Sequence, residues 1–163
     1  LNKFIDSLYY LDPDLIQIVC FGNIHINSLK KMKPFSVINL GYINSKEELS
    51  KIYSSAHIFL ATSILESFGK TIVESMLCGT PCIVFDNSGP AELVRHKITG
   101  FKSSNLSSSS LYEGIQWSLD LKKSEYENIS KQCIEYARRE FDPSLAIEKY
   151  ISCYRNLLKK NKL

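Results

Sequence analysis

The amino-acid sequence predicts an α/β fold of three layers, with a parallel β-sheet between two layers of helices. Two observations carry that prediction. Short runs rich in Ile, Val, Leu and Phe alternate with segments of helical periodicity along most of the chain, the order expected of strands joined by crossover helices. The runs are also apolar throughout rather than at every second residue, as strands buried on both faces of a sheet are. A length of 163 residues suits a single domain, since domains mostly hold about 50 to 250 residues. One domain over residues 1–163 is therefore expected.

Taken in order, Leu1, Phe4, Ile5, Leu8 and Leu11 share one helical face, so the chain should open on a helix. Leu15 to Phe21 is a β-branched run stopped by Gly22-Asn23, and reads as a buried strand. A loop with Lys30, Lys31 and Lys33 follows, and Val37 to Ile43 is a second strand. Ser45 with Glu48 has the spacing of a capping box, which starts a helix running to about Ser55 that buries Leu49, Ile52 and Tyr53. Ile58 to Ala61 makes a third strand. A helix then begins near Gly69, with Ile72, Val73, Met76 and Leu77 on one face. Cys82 to Phe85 is the fourth strand, Ala91 to His96 a short helix, and Gly100-Phe101 a brief edge strand. The remainder should be helical. Ser110 with Glu113 and Ser124 with Glu127 have capping-box spacing, and Asp142-Pro143 places a cap before a first-turn proline. The last helix should bury Ile147, Tyr150, Ile151, Tyr154, Leu157 and Leu158, and Ser103 to Ser110 reads as a solvated loop.

Composition removes several classes of function. No uncharged apolar run approaches the roughly 20 residues that span a bilayer. The opening residues Leu1 to Asp6 lack the basic start, apolar centre and cleavage site of a secretory signal, so export is not indicated. The net charge of +3 comes from scattered Lys and Arg, without the concentrated basic stripe of a nucleic-acid binder. Cys20, Cys78, Cys82, Cys133 and Cys153 are odd in number and form no paired C-x-x-C pattern. They read as reduced, small, buried thiols.

Parallel sheets bind ligands at the carboxyl ends of their strands. Gly22-Asn23, Gly41-Tyr42-Ile43, Thr62 to Phe68 and Asp86 to Pro90 are therefore the expected walls of any site. After the third strand stands Glu66-Ser67-Phe68-Gly69-Lys70-Thr71-Ile72-Val73-Glu74-Ser75-Met76-Leu77-Cys78-Gly79-Thr80-Pro81. Gly69 lets the backbone approach a ligand closely, and the first helical N–H groups, around Lys70 and Thr71, would carry partial positive charge suited to a phosphate. Glu74 could accept two hydroxyl hydrogen bonds at once, as a ribose diol offers, and Glu66 would face whatever lies beyond the phosphates. By spacing alone, Glu66 serves equally as a helix-start carboxylate and Glu74 as a solvated residue opposite the apolar face.

Glu66 to Thr71, Glu74-Ser75-Met76, Cys78-Gly79-Thr80-Pro81 and Ser88-Gly89-Pro90-Ala91-Glu92 together resemble the retaining GT-B glycosyltransferases of the "glycosyl transferases group 1" family. The likeness extends to Gly41-Tyr42-Ile43 and the final helices, and covers nearly the whole chain as the C-terminal half of such an enzyme. It implies a Rossmann-like donor-binding domain whose first strand is missing, with residues 141–160 forming a helix that packs toward an absent N-terminal domain. By position, Glu74 resembles the glutamate that holds the ribose hydroxyls of a nucleotide-sugar, and Glu66 the one that faces the donor sugar at the reacting centre. The resemblance implies that Ser67, Phe68, Gly69, Lys70 and Thr71 bind sugar and diphosphate and that Ile43 lies against the base. Glu92 matches a recurrent position whose role is equally that of a supporting residue.

The chain also departs from the family. An Arg and a Lys usually precede the first helix and neutralise the diphosphate; here the chain starts at that helix, so an excised fragment, inactive without its acceptor domain, is expected. His57 and Thr62 stand where the family often has Asp and Pro, and Lys70 where it commonly has an apolar residue. His57 reads as a strand-start residue rather than a base. The resemblance implies no cofactor and no metal, a nucleoside-diphosphate sugar as substrate, and a glycan or lipid-linked acceptor held by the N-terminal domain. Polysaccharide, lipopolysaccharide or capsule biosynthesis in the cytoplasm is the implied setting, and peripheral association of the full-length enzyme with the inner face of a membrane is allowed. In such enzymes the departing phosphate takes the acceptor's proton on the same face, so Glu66 is expected to orient substrate and stabilise charge rather than to attack. An epimerase-type GT-B enzyme and a non-catalytic binding module stay open beside this reading.

Overall fold

The computed structural model describes residues 1–64, 66, 68–86 and 89–160. Five strands lie among them: β1 (Gln17–Cys20), β2 (Ser36–Asn39), β3 (Phe59–Ala61), β4 (Cys82–Phe85) and β5 (Gly100–Ser103). All their pairings are parallel, with Ile18 opposite Val37, Leu60 opposite Ile83, and Ile83 opposite Phe101. The strands fall into two sheets, β1-β2 and β3-β4-β5, so β5 is an edge as expected. Seven α-helices surround them: α1 (Asn2–Ser7), α2 (Ile26–Lys31), α3 (Lys46–Ser55), α4 (Lys70–Leu77), α5 (Ser108–Leu119), α6 (Lys123–Phe141) and α7 (Pro143–Lys160).

The central strand shows why the apolar runs predicted two helical layers. Every residue of β4 is buried. Ile83 and Phe85 face a core shared with Phe4 and Leu8 from the opening segment and with Leu111 and Ile115 of α5. Cys82 and Val84 face the opposite way, into a core with Ile72, Val73 and Met76 of α4 and Ile129, Cys133 and Ala137 of α6. Each such large apolar side chain taken fully out of water contributes about 1.5–3 kcal/mol, so a strand buried on both sides anchors two helical layers at once. The first core also takes in Ile18 and Cys20 of β1, which joins the two sheets into one hydrophobic body.

Several local expectations need correction. The opening helix stops at Ser7 and continues as a 3-10 turn, Leu8–Tyr10, while a short helix, α2, occupies the expected lysine loop, with the His25 ring accepting from the Asn27 amide. The second strand ends at Asn39 because Gly41 adopts a left-handed φ of 65°. Ala91 to His96 is replaced by a 3-10 turn over Gly89–Leu93. Ser45 does cap α3, its hydroxyl accepting from Glu48 N–H at 3.2 Å. The cap of α5 is Ser107 rather than Ser110, whose own hydroxyl is turned back onto the Asn105 carbonyl at 2.6 Å. For α6, the Glu125 carboxylate accepts from Lys122 N–H, so the helix starts before Ser124. Ser103 to Ser110 is no solvated loop throughout, since Ser103 is buried in β5 and Ser108 opens α5. Asp142 caps α7 as expected, accepting from Ser144 N–H at 2.8 Å.

Three burial expectations change. The first strand, expected buried over Leu15 to Phe21, covers only Gln17–Cys20 and is buried only at Ile18 and Cys20, with Leu15 in a 3-10 turn and 71% exposed. Leu77 is 42% exposed on α4, and the α7 stripe of Ile147, Tyr150, Ile151, Tyr154, Leu157 and Leu158 is exposed at every position. Its chief contact is α6 alone, so nothing among the described residues covers the stripe. The cysteines are free thiols; Cys20, Cys82 and Cys133 are buried, Cys78 is half-buried and Cys153 is exposed. Burial pushes the Cys133 thiol up to about 12, which keeps it protonated and inert.

Candidate functional site

Within each sheet the pairings are parallel, so the loops after β1 and β2 share one edge of the first sheet and the loops after β3 and β4 one edge of the second. One contact knits each pair of loops. Gly22 N–H donates to the Gly41 carbonyl at 2.6 Å, tying the loop after β1 to the loop after β2. A Cβ built on Gly89 would lie 3.1 Å from the Glu66 carbonyl oxygen, so the loops after β3 and β4 press against each other. Ser67 and Ser88 lie outside the described residues.

The start of α4 opens onto this edge of the second sheet. Its N-cap is Gly69 at φ 84°, a left-handed conformation that L side chains resist. A Cβ there would also fall 2.9 Å from Leu93 Cδ1, so the Leu93 side chain would have to shift. The first intrahelical donors are Ile72 and Val73, both to the Gly69 carbonyl. The N–H groups of Lys70 and Thr71 therefore precede the helical ladder. No side chain among the described residues caps this end, and the first turn holds no acidic residue. Most helix starts supply an acceptor of their own; this one presents donors, with Lys70 exposed beside them.

Glu74 sits one turn further along, half-buried, and both of its oxygens have partners. Lys70 Nζ lies 3.4 Å from Oε1, an exposed i,i+4 pair of the kind worth about 0–1 kcal/mol. The Tyr53 hydroxyl donates to Oε2 at 3.5 Å. Tyr53 had counted in the sequence only as part of the apolar face of α3. Burial, and then the negative charge of Glu74, pushes this hydroxyl above the ordinary phenol range, so it remains a donor. No local signal could have revealed the contact, because it joins two helices across a strand.

The other expected site residues distribute around this centre. Glu66 is half-buried in the loop after β3 and Thr71 is half-buried in the first turn of α4. Phe68 is 52% exposed, its ring edge-on to Phe141 at 6.0 Å. Ile43 is half-buried after β2, next to an exposed Tyr42. Glu92 lines an open cavity of about 410 Å³ with Phe68, Tyr136 and Phe141, outside the helix start itself. His57 is exposed just ahead of β3, 6.0 Å from the Tyr126 ring, in the strand-start position expected of it.

Comparison with known proteins shows the family and the fold. The family described as Glycosyl transferases group 1 matches residues 27–140. This chain belongs to that family. Among curated group 1-like relatives, the glycogen synthase of Thermodesulfovibrio yellowstonii is 32% identical over 137 residues, which are 82% of this chain and 26% of that protein. A glycosyltransferase from Rickettsia africae superposes with a TM-score of 0.80 at 20% identity, covering 97% of this chain and 44% of the other. The Anabaena protein HepE, crystallised with UDP-glucose, superposes at 0.77 with 22% identity, covering 95% and 44%. These superpositions establish the Rossmann-like fold of GT-B enzymes for this group 1 chain, which spans less than half the length of the proteins it matches.

Proposed function

We propose that this chain is the donor-binding part of a glycosyltransferase that moves a sugar from a nucleoside diphosphate to an acceptor hydroxyl with retention at the anomeric carbon. One observation carries the reading: α4 begins on a left-handed glycine without a side-chain cap among the described residues, with Lys70 in its first turn and Glu74 one turn beyond. A lysine at a helix N-terminus is opposed by the macrodipole, and a diphosphate seated there turns that opposition into attraction for both. Backbone amides of Phe68, Gly69, Lys70 and Thr71, with Ser67, would hold diphosphate and sugar. Glu74 would take the ribose diol and Ile43 the base. Glu66 would face the donor sugar, orienting it while the departing phosphate accepts the acceptor's proton. Helix dipole and Lys70 do the electrostatic work that a metal performs elsewhere, so the scheme uses no metal and no cofactor.

Family context and the HepE complex with UDP-glucose support a nucleotide-sugar donor. The uncovered apolar stripe of α7 supports packing of residues 143–160 against a second, acceptor-holding domain. The proposed acceptor class is a glycan or lipid-linked intermediate of polysaccharide assembly, on the strength of the family likeness. No described helix is long and apolar enough to cross a membrane; attachment to the inner membrane face would be peripheral.

The test is Glu66→Gln and Glu74→Gln in the full-length enzyme. Loss of charge-assisted hydrogen bonds worth about 1.5–3 kcal/mol should weaken nucleotide binding by Glu74→Gln roughly 10- to 100-fold. Glu66→Gln should lower kcat far more than it alters nucleotide affinity. Wild-type turnover and affinity in both variants would end the assignment.

A further inference from the structure

We infer that Tyr53 is a positioning residue for the donor site, fixing the Glu74 carboxylate in the orientation that accepts a ribose diol. The inference deepens the proposed role of Glu74 and rests on it. Glu74 reaches its working position at the end of a flexible side chain, and ordering such a side chain costs rotamer freedom. Something rigid must hold it in advance if binding is not to bear that cost. Lys70 is a poor candidate, because its side chain is 83% exposed. Tyr53 is the opposite, at 3% exposed.

Three contacts hold Tyr53 in place. Its ring stands edge-on to Phe59 of β3 at 5.3 Å and edge-on to Phe21, just past β1, at 5.6 Å. Its backbone carbonyl accepts from the Thr80 hydroxyl at 2.5 Å, a link between the end of α3 and the turn that follows α4. The phenol is thereby aimed by contacts from β3, the residue after β1 and the turn after α4, and its hydroxyl ends 3.5 Å from Glu74 Oε2. An ionised carboxylate has about four acceptor positions. One used by Tyr53 and one by Lys70 leave room for both hydroxyls of a ribose. A donor lacking those hydroxyls would leave the two remaining acceptor positions of the held carboxylate without the ligand's hydroxyls, so the pair Tyr53–Glu74 selects ribonucleotides over nucleotides without the diol.

Tyr53→Phe keeps the ring and its packing and removes only the hydroxyl. The measurement is calorimetric affinity of the full-length enzyme for UDP, ADP and GDP, each beside its 2′,3′-dideoxy counterpart. For whichever base binds, wild type should prefer the diol, and Tyr53→Phe should lose roughly 5-fold in affinity for the ribonucleotide, the share of one modest hydrogen bond. Its affinity for the dideoxy nucleotide should stay unchanged. The ratio of the two affinities does not depend on the fraction of protein folded, so partial destabilisation cannot imitate the result. Wild-type enzyme without diol preference, without binding of any of these nucleotides, or with a preference that survives Glu74→Gln would overturn the Glu74 assignment and this inference with it. A diol preference that Glu74→Gln abolishes and Tyr53→Phe leaves intact overturns the role of Tyr53 alone.

Discussion

Gly69 is asked for two things at once, a left-handed backbone and the space of a missing Cβ against Leu93 and Ile72. Gly69→Ala should therefore destabilise the fold by about 1–2 kcal/mol from the backbone conformation alone, read as a lower urea midpoint, and should displace the first N–H groups of α4. An unchanged midpoint would show that the helix start tolerates a side chain. His96 offers a second test at this scale. Its Nδ1 accepts from Lys102 N–H at 3.1 Å, a bond that only the neutral ring can make there. Burial, and next the charge of Lys97, holds its pKa below the ordinary imidazole value. A depressed histidine contributes fully above its unfolded pKa of about 6.5 and loses that contribution as pH falls below it, because the unfolded chain takes up the proton first. Stability should thus decline as pH falls below about 6.5, and His96→Asn, which retains an acceptor without titrating, should show a shallower decline. Residues of this kind were unevenly legible in the sequence. Gly69 and the spacing of Glu66 and Glu74 could be read from the chain because their meaning is local. Tyr53 and His96 could not, because their partners arrive from other elements.

Strands and helices were legible wherever burial on both sides left a continuous apolar run, and β4 was placed residue for residue. Boundaries set by side-chain capping were less so. Ser107 and Ser110 both have the chemistry to cap α5, and the choice fell to Ser107 because Ser110 is spent on the Asn105 carbonyl. The largest miss is α7, where correct helical periodicity was taken to mean burial. Periodicity shows that an apolar face exists; it says nothing of what covers that face. The difference is measurable. In this chain alone, Ile151→Ser with Tyr154→Ser should change unfolding free energy by less than about 0.5 kcal/mol, as surface changes do, whereas Ile72→Ala in α4 should cost about 2–5 kcal/mol. In the full-length enzyme the α7 pair should become costly, and an equally small effect there would remove the proposed packing against a second domain.

At the scale of the whole molecule, the two sheets share one core and the parallel β3 and β4 bring their loops to the edge where the start of α4, uncapped by any described side chain, meets Lys70 and Glu74. The fold supplies a place and the residues supply the chemistry, which is why the family match and the superpositions fix the architecture while the donor chemistry stands as a proposal. The most direct measurement is a crystal structure of this chain, within the proposed two-domain enzyme, soaked with a nucleoside diphosphate. The ribose hydroxyls should lie within hydrogen-bonding distance of Glu74 Oε1 and Oε2, with the phosphates at the amides of Lys70 and Thr71. A nucleotide bound elsewhere, or one at this edge with its ribose turned away from Glu74, would contradict the account.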